Sequence, residues 1–210
     1  MTELLSLIQW LSPAFPTGGY AYSHGLEQAV VDGTLTDAPS LRLWLADILT
    51  HGSGRQDAIL LACALRPDAD HDALTDLATA LAASAERAHE TLAQGAALAQ
   101  TVAALTGRTL NPRPLPIALG AAAALLNLPA AQVIALYLHA FASNLIQTMV
   151  RFVPLGQTEG QATLTALHPL IQHLAQTLST ATTDDLASST FGAEMVAMRH
   201  ETLQPRIFKT

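Results

Sequence analysis

From Pro114 to Val150 the chain carries no Asp, Glu, Lys or Arg, its longest stretch without a charge. Within and just beyond it, Val133, Tyr137, Phe141, Leu145, Thr148 and Phe152 recur at helical spacing, while Ile134, Leu138 and Met149 cover other sides. A helix apolar nearly all round has no solvent face, so other elements must wrap it. Asn127, Pro129, Gln132, His139, Asn144 and Gln147 interrupt the run, which argues against a clean membrane span of about 20 residues. The reading is the central helix of a soluble bundle. His139 within it reads as a histidine hydrogen-bonded to a neighbouring helix.

The rest of the chain supplies the wrapping. Ala and Leu dominate, and only 5% of residues are aromatic, a balance that favours helix over strand. A chain of 210 residues buries enough surface for one core without disulfides. The expected fold is all-α: a single-domain bundle of mostly antiparallel helices over residues 1–210, with a C-terminal docking segment at 194–210. Charged residues make up 13%, about half the usual share, which implies extensive contact with other protein, in an oligomer or a complex.

Helix boundaries follow from local chemistry. Leu4, Leu7, Ile8 and Leu11 give a first helix that ends at Ser12-Pro13; two prolines, two glycines and two aromatics then fix the loop Pro13–Tyr20. Ser23 is placed to cap the next helix, and Asp32-Gly33 to stop it. Thr36 or Asp37 caps a helix through Leu49, interrupted at Gly52-Ser53-Gly54. From Asp70 to Leu105 one long helix or two stacked ones are expected, with Ser84, Ala88 and Gly95 admitting a close neighbour. Glu86 and Glu90 on that helix read as a solvated face relieved by Arg87. Gly107 ends it, and Asn111–Pro116 is a stiff connector. After Phe152, the turn Arg151–Gln161 contains Pro154 and Gly156, helix-stopping residues, and the last long helix gathers its apolar period from Leu164. The segment Glu194–Thr210 alternates charge with Leu203, Ile207 and Phe208, so it docks on something, a partner or its own core.

Several chemistries are excluded. Formal net charge is -7, with Lys209 the only lysine, so phosphate-led nucleic-acid binding and a phosphate-loop lysine both fall away. Cys63, in an apolar run, reads as a small buried hydrophobe. His200-Glu201 lacks the second histidine of a zincin helix, because position 204 is Gln. His168 and His173 stand five apart, off a common helix face, so no tight metal site and no bound cofactor are expected. No catalytic motif emerges, and the chain reads as a non-enzyme. Glu3 and the short run Leu4–Leu11 do not make a signal peptide, which points to a cytoplasmic protein.

Three segments carry a resemblance. Ser12–Glu27 (SPAFPTGGYAYSHGLE), Arg151–Gln161 (RFVPLGQTEGQ) and Met198–Phe208 (MRHETLQPRIF) are similar, in order and distance, to the signature segments of the UreF family of urease accessory proteins. The resemblance implies an all-α, dimeric chaperone subunit without catalysis. It would join the accessory protein UreD (also called UreH) and the GTPase UreG in a complex that delivers nickel to apo-urease, with nickel handled by the complex. It also implies partner-binding roles for Tyr20, His24, Glu27, Arg151, Gln157, Glu159, Gln161, Met198, His200, Glu201, Arg206 and Phe208. Arg206 would stabilise the site where UreG is recruited, and Arg151 or Arg206 could influence GTP hydrolysis, by activation or by gating. Two other readings stand beside it: a small-ligand binder or enzyme with a pocket around Arg151, His200 and Glu201, and direct nickel binding by His24, His139 or His200.

Overall fold

The computed structural model describes residues 1–153 and 155–210; Pro154, expected to stop a helix, lies outside the described residues. Among the described residues there are ten α-helices and no strand. They are α1 (Thr2–Trp10), α2 (Leu26–Val31), α3 (Ala38–His51), α4 (Ser53–Ala64), α5 (His71–Ala80), α6 (Ala85–Thr106), α7 (Leu115–Ala123), α8 (Ala130–Phe152), α9 (Gln157–Leu178) and α10 (Phe191–His200).

The local signals act as capping chemistry requires. The Asp37 carboxylate accepts the Ser40 amide while the Ser40 hydroxyl accepts the Asp37 amide, a reciprocal box that opens α3. Gly107 closes α6 at φ 69°. The stretch from Asp70 resolves into two helices because Ser84 is not part of a packing stripe; its hydroxyl accepts the Arg87 amide and starts α6. Ser23 serves α2 from two residues before the cap position, its hydroxyl accepting the first-turn Glu27 amide at 3.4 Å. Gly25 holds the cap position at φ 77°, and the Ser23 hydroxyl turns to the carbonyl of Thr210. α9 starts seven residues before Leu164, at Gln157, where the Glu159 carboxylate accepts the Gly156 amide. Pro169 sits inside α9 without ending it. On α1, Leu7 and Trp10 are buried, whereas Ile8 faces outward.

No residue of α8 between Val133 and Val150 is exposed, so the uncharged run is the wrapped helix its pattern predicts. α8 also has the length and hydropathy of a membrane span, contrary to the sequence expectation, and half of that window is buried inside the fold. An equally interior element is α4, where every residue from Asp57 to Ala64 is buried against α3, α5, α7, α8 and α9. Close approach is built from glycine: a Cβ on Gly120 would stand 2.4 Å from the Ala64 Cβ, and one on Gly95 only 1.9 Å from the Arg113 carbonyl oxygen. Cys63 is buried in this core, and burial pushes its thiol up from the ordinary value.

Candidate functional site

The C-terminal segment folds back over the loop 18–25 and the N-terminal end of α6, and charged side chains hold it there. Glu27, first-turn residue of the short α2, is 2% exposed. Its carboxylate accepts the Ile207 amide at 2.8 Å and the Phe208 amide at 2.9 Å. The same carboxylate meets His200 Nε2 at 3.1 Å, and Glu86 on α6 meets His200 Nδ1 at 2.8 Å. Both ring nitrogens of a fully buried imidazole thus lie within hydrogen-bond distance of carboxylate oxygens. Arg206 pairs with the other oxygen of Glu86. Glu201 accepts the Ala85 amide at 2.9 Å and so caps α6 from the tail, where a carboxylate suits the positive end of the helix dipole.

Backbone pairing completes the closure. Lys209 N–H donates to the Ala21 carbonyl at 2.8 Å, and Ser23 N–H to the Thr210 carbonyl at 2.7 Å. Phe208 is buried edge-on against Phe152, with the Arg151 guanidinium 5.8 Å from its ring centre. Arg151 also donates to the Tyr20 carbonyl at 3.0 Å, and Asn144 to that of Gly19 at 2.9 Å. The loop is therefore pinned by α8 on one side and by the tail on the other.

Beneath the tail lies a second, deeper cluster. Arg87 bridges Asp57 of α4 at 2.6 Å and Glu90 at 3.5 Å, and Tyr137 of α8 donates to Asp57 at 2.6 Å. Glu90 further takes Gln94 at 3.1 Å, the Thr210 hydroxyl at 3.3 Å and His24 Nδ1 at 3.4 Å; His24 Nε2 meets the Ser53 hydroxyl at 2.6 Å. Burial, the largest single influence, would raise the Glu90 carboxyl, but Arg87, His24 and the Thr210 hydrogen bond together outweigh it and hold the group below the ordinary range. Burial would lower Arg87, and Asp57 and Glu90 more than reverse that. Tyr137 is pushed well up by burial and by Asp57. Two cavities, of about 60 and 90 Å³, flank the Arg87–Glu90 pair.

This geometry corrects several expectations. Glu86 and Glu90 do not form a solvated face: Glu90 is buried in the ion cluster and Glu86 is clamped by His200 and Arg206. Glu27, His200 and Phe208 are buried within the chain, so they order the tail and do not present themselves to a partner in this closed form. Arg151, His200 and Glu201 do not share a pocket; Arg151 lies on the loop, His200 is sealed and Glu201 caps α6. His139 meets the His168 ring, not a hydrogen-bond partner on another helix. Tyr20, Arg151, Gln157, Glu159, Gln161, Met198, Glu201 and Arg206 are exposed, and His24 is half-buried. Ser12–Glu27, the first two residues of Arg151–Gln161 and Met198–Phe208 come together, whereas Gln157, Glu159 and Gln161 stand apart at the start of α9. Asp57 was not singled out from sequence, Arg87 and Glu90 were read only as a solvated face, and Tyr137 only as part of an apolar stripe. The available signal was Asp57, a lone charge directly before the apolar run Ala58–Leu65.

Comparison with known proteins places the chain. A family model described as UreF matches residues 35–168. The urease accessory protein UreF of Cereibacter sphaeroides (strain ATCC 17029 / ATH 2.4.9) is 64% identical over 207 residues, covering 99% of this chain and 98% of the relative. The protein of the same name from Paracoccus denitrificans (strain Pd 1222) is 52% identical, covering 98% and 95%. That from Roseobacter denitrificans (strain ATCC 33942 / OCh 114) is 48% identical, covering 98% and 93%. With the all-α bundle and the three signature segments in place, the chain belongs to the UreF family of urease accessory proteins.

Proposed function

We propose that the chain is the scaffold subunit of a urease-maturation complex, joining UreD (UreH) and the GTPase UreG in the cytoplasm while nickel is delivered to apo-urease. It acts as a homodimer and performs no catalysis itself. The observation that carries this reading is what the clamped tail leaves outside. Phe191, Met195 and Met198 follow one face of α10 at 71, 61 and 49% exposure, and Ile207 beyond them is 72% exposed. An apolar row held outward by buried ionic contacts is a prepared protein-binding surface, and UreD is the partner assigned to it. Tyr20, 64% exposed, with Arg151 and Arg206 forms the adjoining edge, assigned to UreG.

The arginines favour gating over activation. A finger that stabilises phosphoryl transfer must be free to reach the nucleotide. Arg206 is engaged by Glu86, and Arg151 by the Tyr20 and Gln147 carbonyls. UreG in the complex should therefore release phosphate more slowly than UreG alone; faster release would reverse this assignment. The scaffold reading is tested by co-expressing the chain with UreD and UreG and sizing the products by chromatography. Intact chain should co-elute with both, and M195D/M198D should remain folded yet lose UreD. A double variant that still co-elutes with UreD, or an intact chain that elutes alone, overturns the reading.

A further inference from the structure

Consecutive helices α8 and α9 make the most extensive helix pairing in the fold, and each contributes one histidine to the same spot on their seam. His139 of α8 is half-buried, His168 of α9 is exposed, and their ring centres lie 5.4 Å apart with an interplanar angle of 40°. With a metal–nitrogen bond of about 2.1 Å and a ring centre roughly 1.1 Å behind the nitrogen, two imidazoles at about 109° on one ion have centres about 5.2 Å apart. The observed centre-to-centre separation of 5.4 Å is close to that spacing.

We propose that His139 and His168 form a two-imidazole site for a borderline divalent transition-metal ion of the zinc and nickel class. Imidazole nitrogen selects such ions over calcium or magnesium, which take oxygen ligands. Ligation uses the nitrogen lone pair of a neutral imidazole ring. The Tyr137 and Phe141 rings that flank His139 in sequence engage each other and His24, leaving the His139 ring to His168. No group of three or more His, Cys, Asp or Glu is arranged around a metal position among the described residues, so water completes the coordination. Two protein ligands and open positions make a site of micromolar rank that exchanges its ion readily, unlike a closed structural zinc site. The site is distinct from the clamped tail and does not depend on the scaffold assignment.

The test uses full-length chain without a purification tag, titrated with Zn²⁺ alone and with Ni²⁺ alone by calorimetry, alongside H139Q, H168Q and the control H173Q. Expected is one ion per chain, weakened about tenfold or more in each of the first two variants and unchanged in the control. Imidazole nitrogen resonances of the two histidines should shift together as Zn²⁺ is added. Melting midpoints of the variants near that of the parent separate lost ligation from lost folding. No binding of either ion up to about 1 mM, or binding weakened by only one of the two substitutions, overturns the shared site.

Discussion

Replacing Glu27 by Ala should release the tail and leave the bundle standing. The carboxylate accepts two tail amides, at 2.8 and 2.9 Å, and one buried imidazole nitrogen at 3.1 Å. A hydrogen bond to a charged acceptor contributes about 1.5–3 kcal/mol, so the two amide bonds alone amount to roughly 3–6 kcal/mol. The loss is capped, because a tail that detaches rehydrates its own amides and forfeits in addition only its buried surface, about 2 kcal/mol for Phe208. Hydrogen exchange reads this directly. With about 1.4 kcal/mol per decade, protection of the Ile207 and Phe208 amides should fall by at least about 100-fold, while amides of α4 keep theirs. Glu27→Gln retains one carbonyl acceptor and should fall between the two. Tail protection unchanged in the Ala variant, or lost together with that of α4, would refute the clamp as a local device.

Gly95→Ala should destabilise the fold by about 3 kcal/mol or more, read as a lowered urea midpoint, because the added methyl meets backbone of residues 113–115 that cannot rotate away; a shift under about 1 kcal/mol would mean the connector yields freely. Acidification should weaken the fold through Glu90: its folded carboxyl titrates below the ordinary range, so the unfolded chain binds more protons there, and the stabilisation, present above that range, is lost as pH falls through the lowered value. Urea midpoints measured against pH should drop on that acid side, and the drop should flatten in Glu90→Gln; an identical acid limb in the variant would exclude Glu90 as its source.

Where the helices begin and end was legible because those decisions are made within a few residues. Asp37 with Ser40, Gly52-Ser53-Gly54 and Gly107 need no distant partner to act. The polar interior was not legible for the opposite reason. Arg87 and Glu90 have the spacing of any surface ion pair, and only Asp57 from α4 and Tyr137 from α8 turn that face inward. His200 and Glu27 are separated by 173 positions and Arg206 and Glu86 by 120, so no local period brings them together. The tail's composition showed that it docks without showing where; the docking place depends on a carboxylate from α2 and another from α6.

A chain with only 13% charged residues commits Glu27, Asp57, Glu86, Arg87 and Glu90 to its interior or its tail clamp, and stability alone does not explain that use. Well-packed apolar residues often match or exceed a buried ion pair in stability. Apolar residues cannot distinguish one register of an extended segment from the next, whereas the two oxygens of Glu27 receive the amides of Ile207 and Phe208 and no others. Slipping the tail by one residue would bury Ile207 in place of Phe208 and strand His200 between two carboxylates without its geometry. The ionic clamp therefore selects one pose for a segment whose exposed apolar side chains could otherwise collapse onto the bundle in many ways. That selection is what a docking surface requires, since a row of side chains already fixed in place loses little further entropy when a partner arrives.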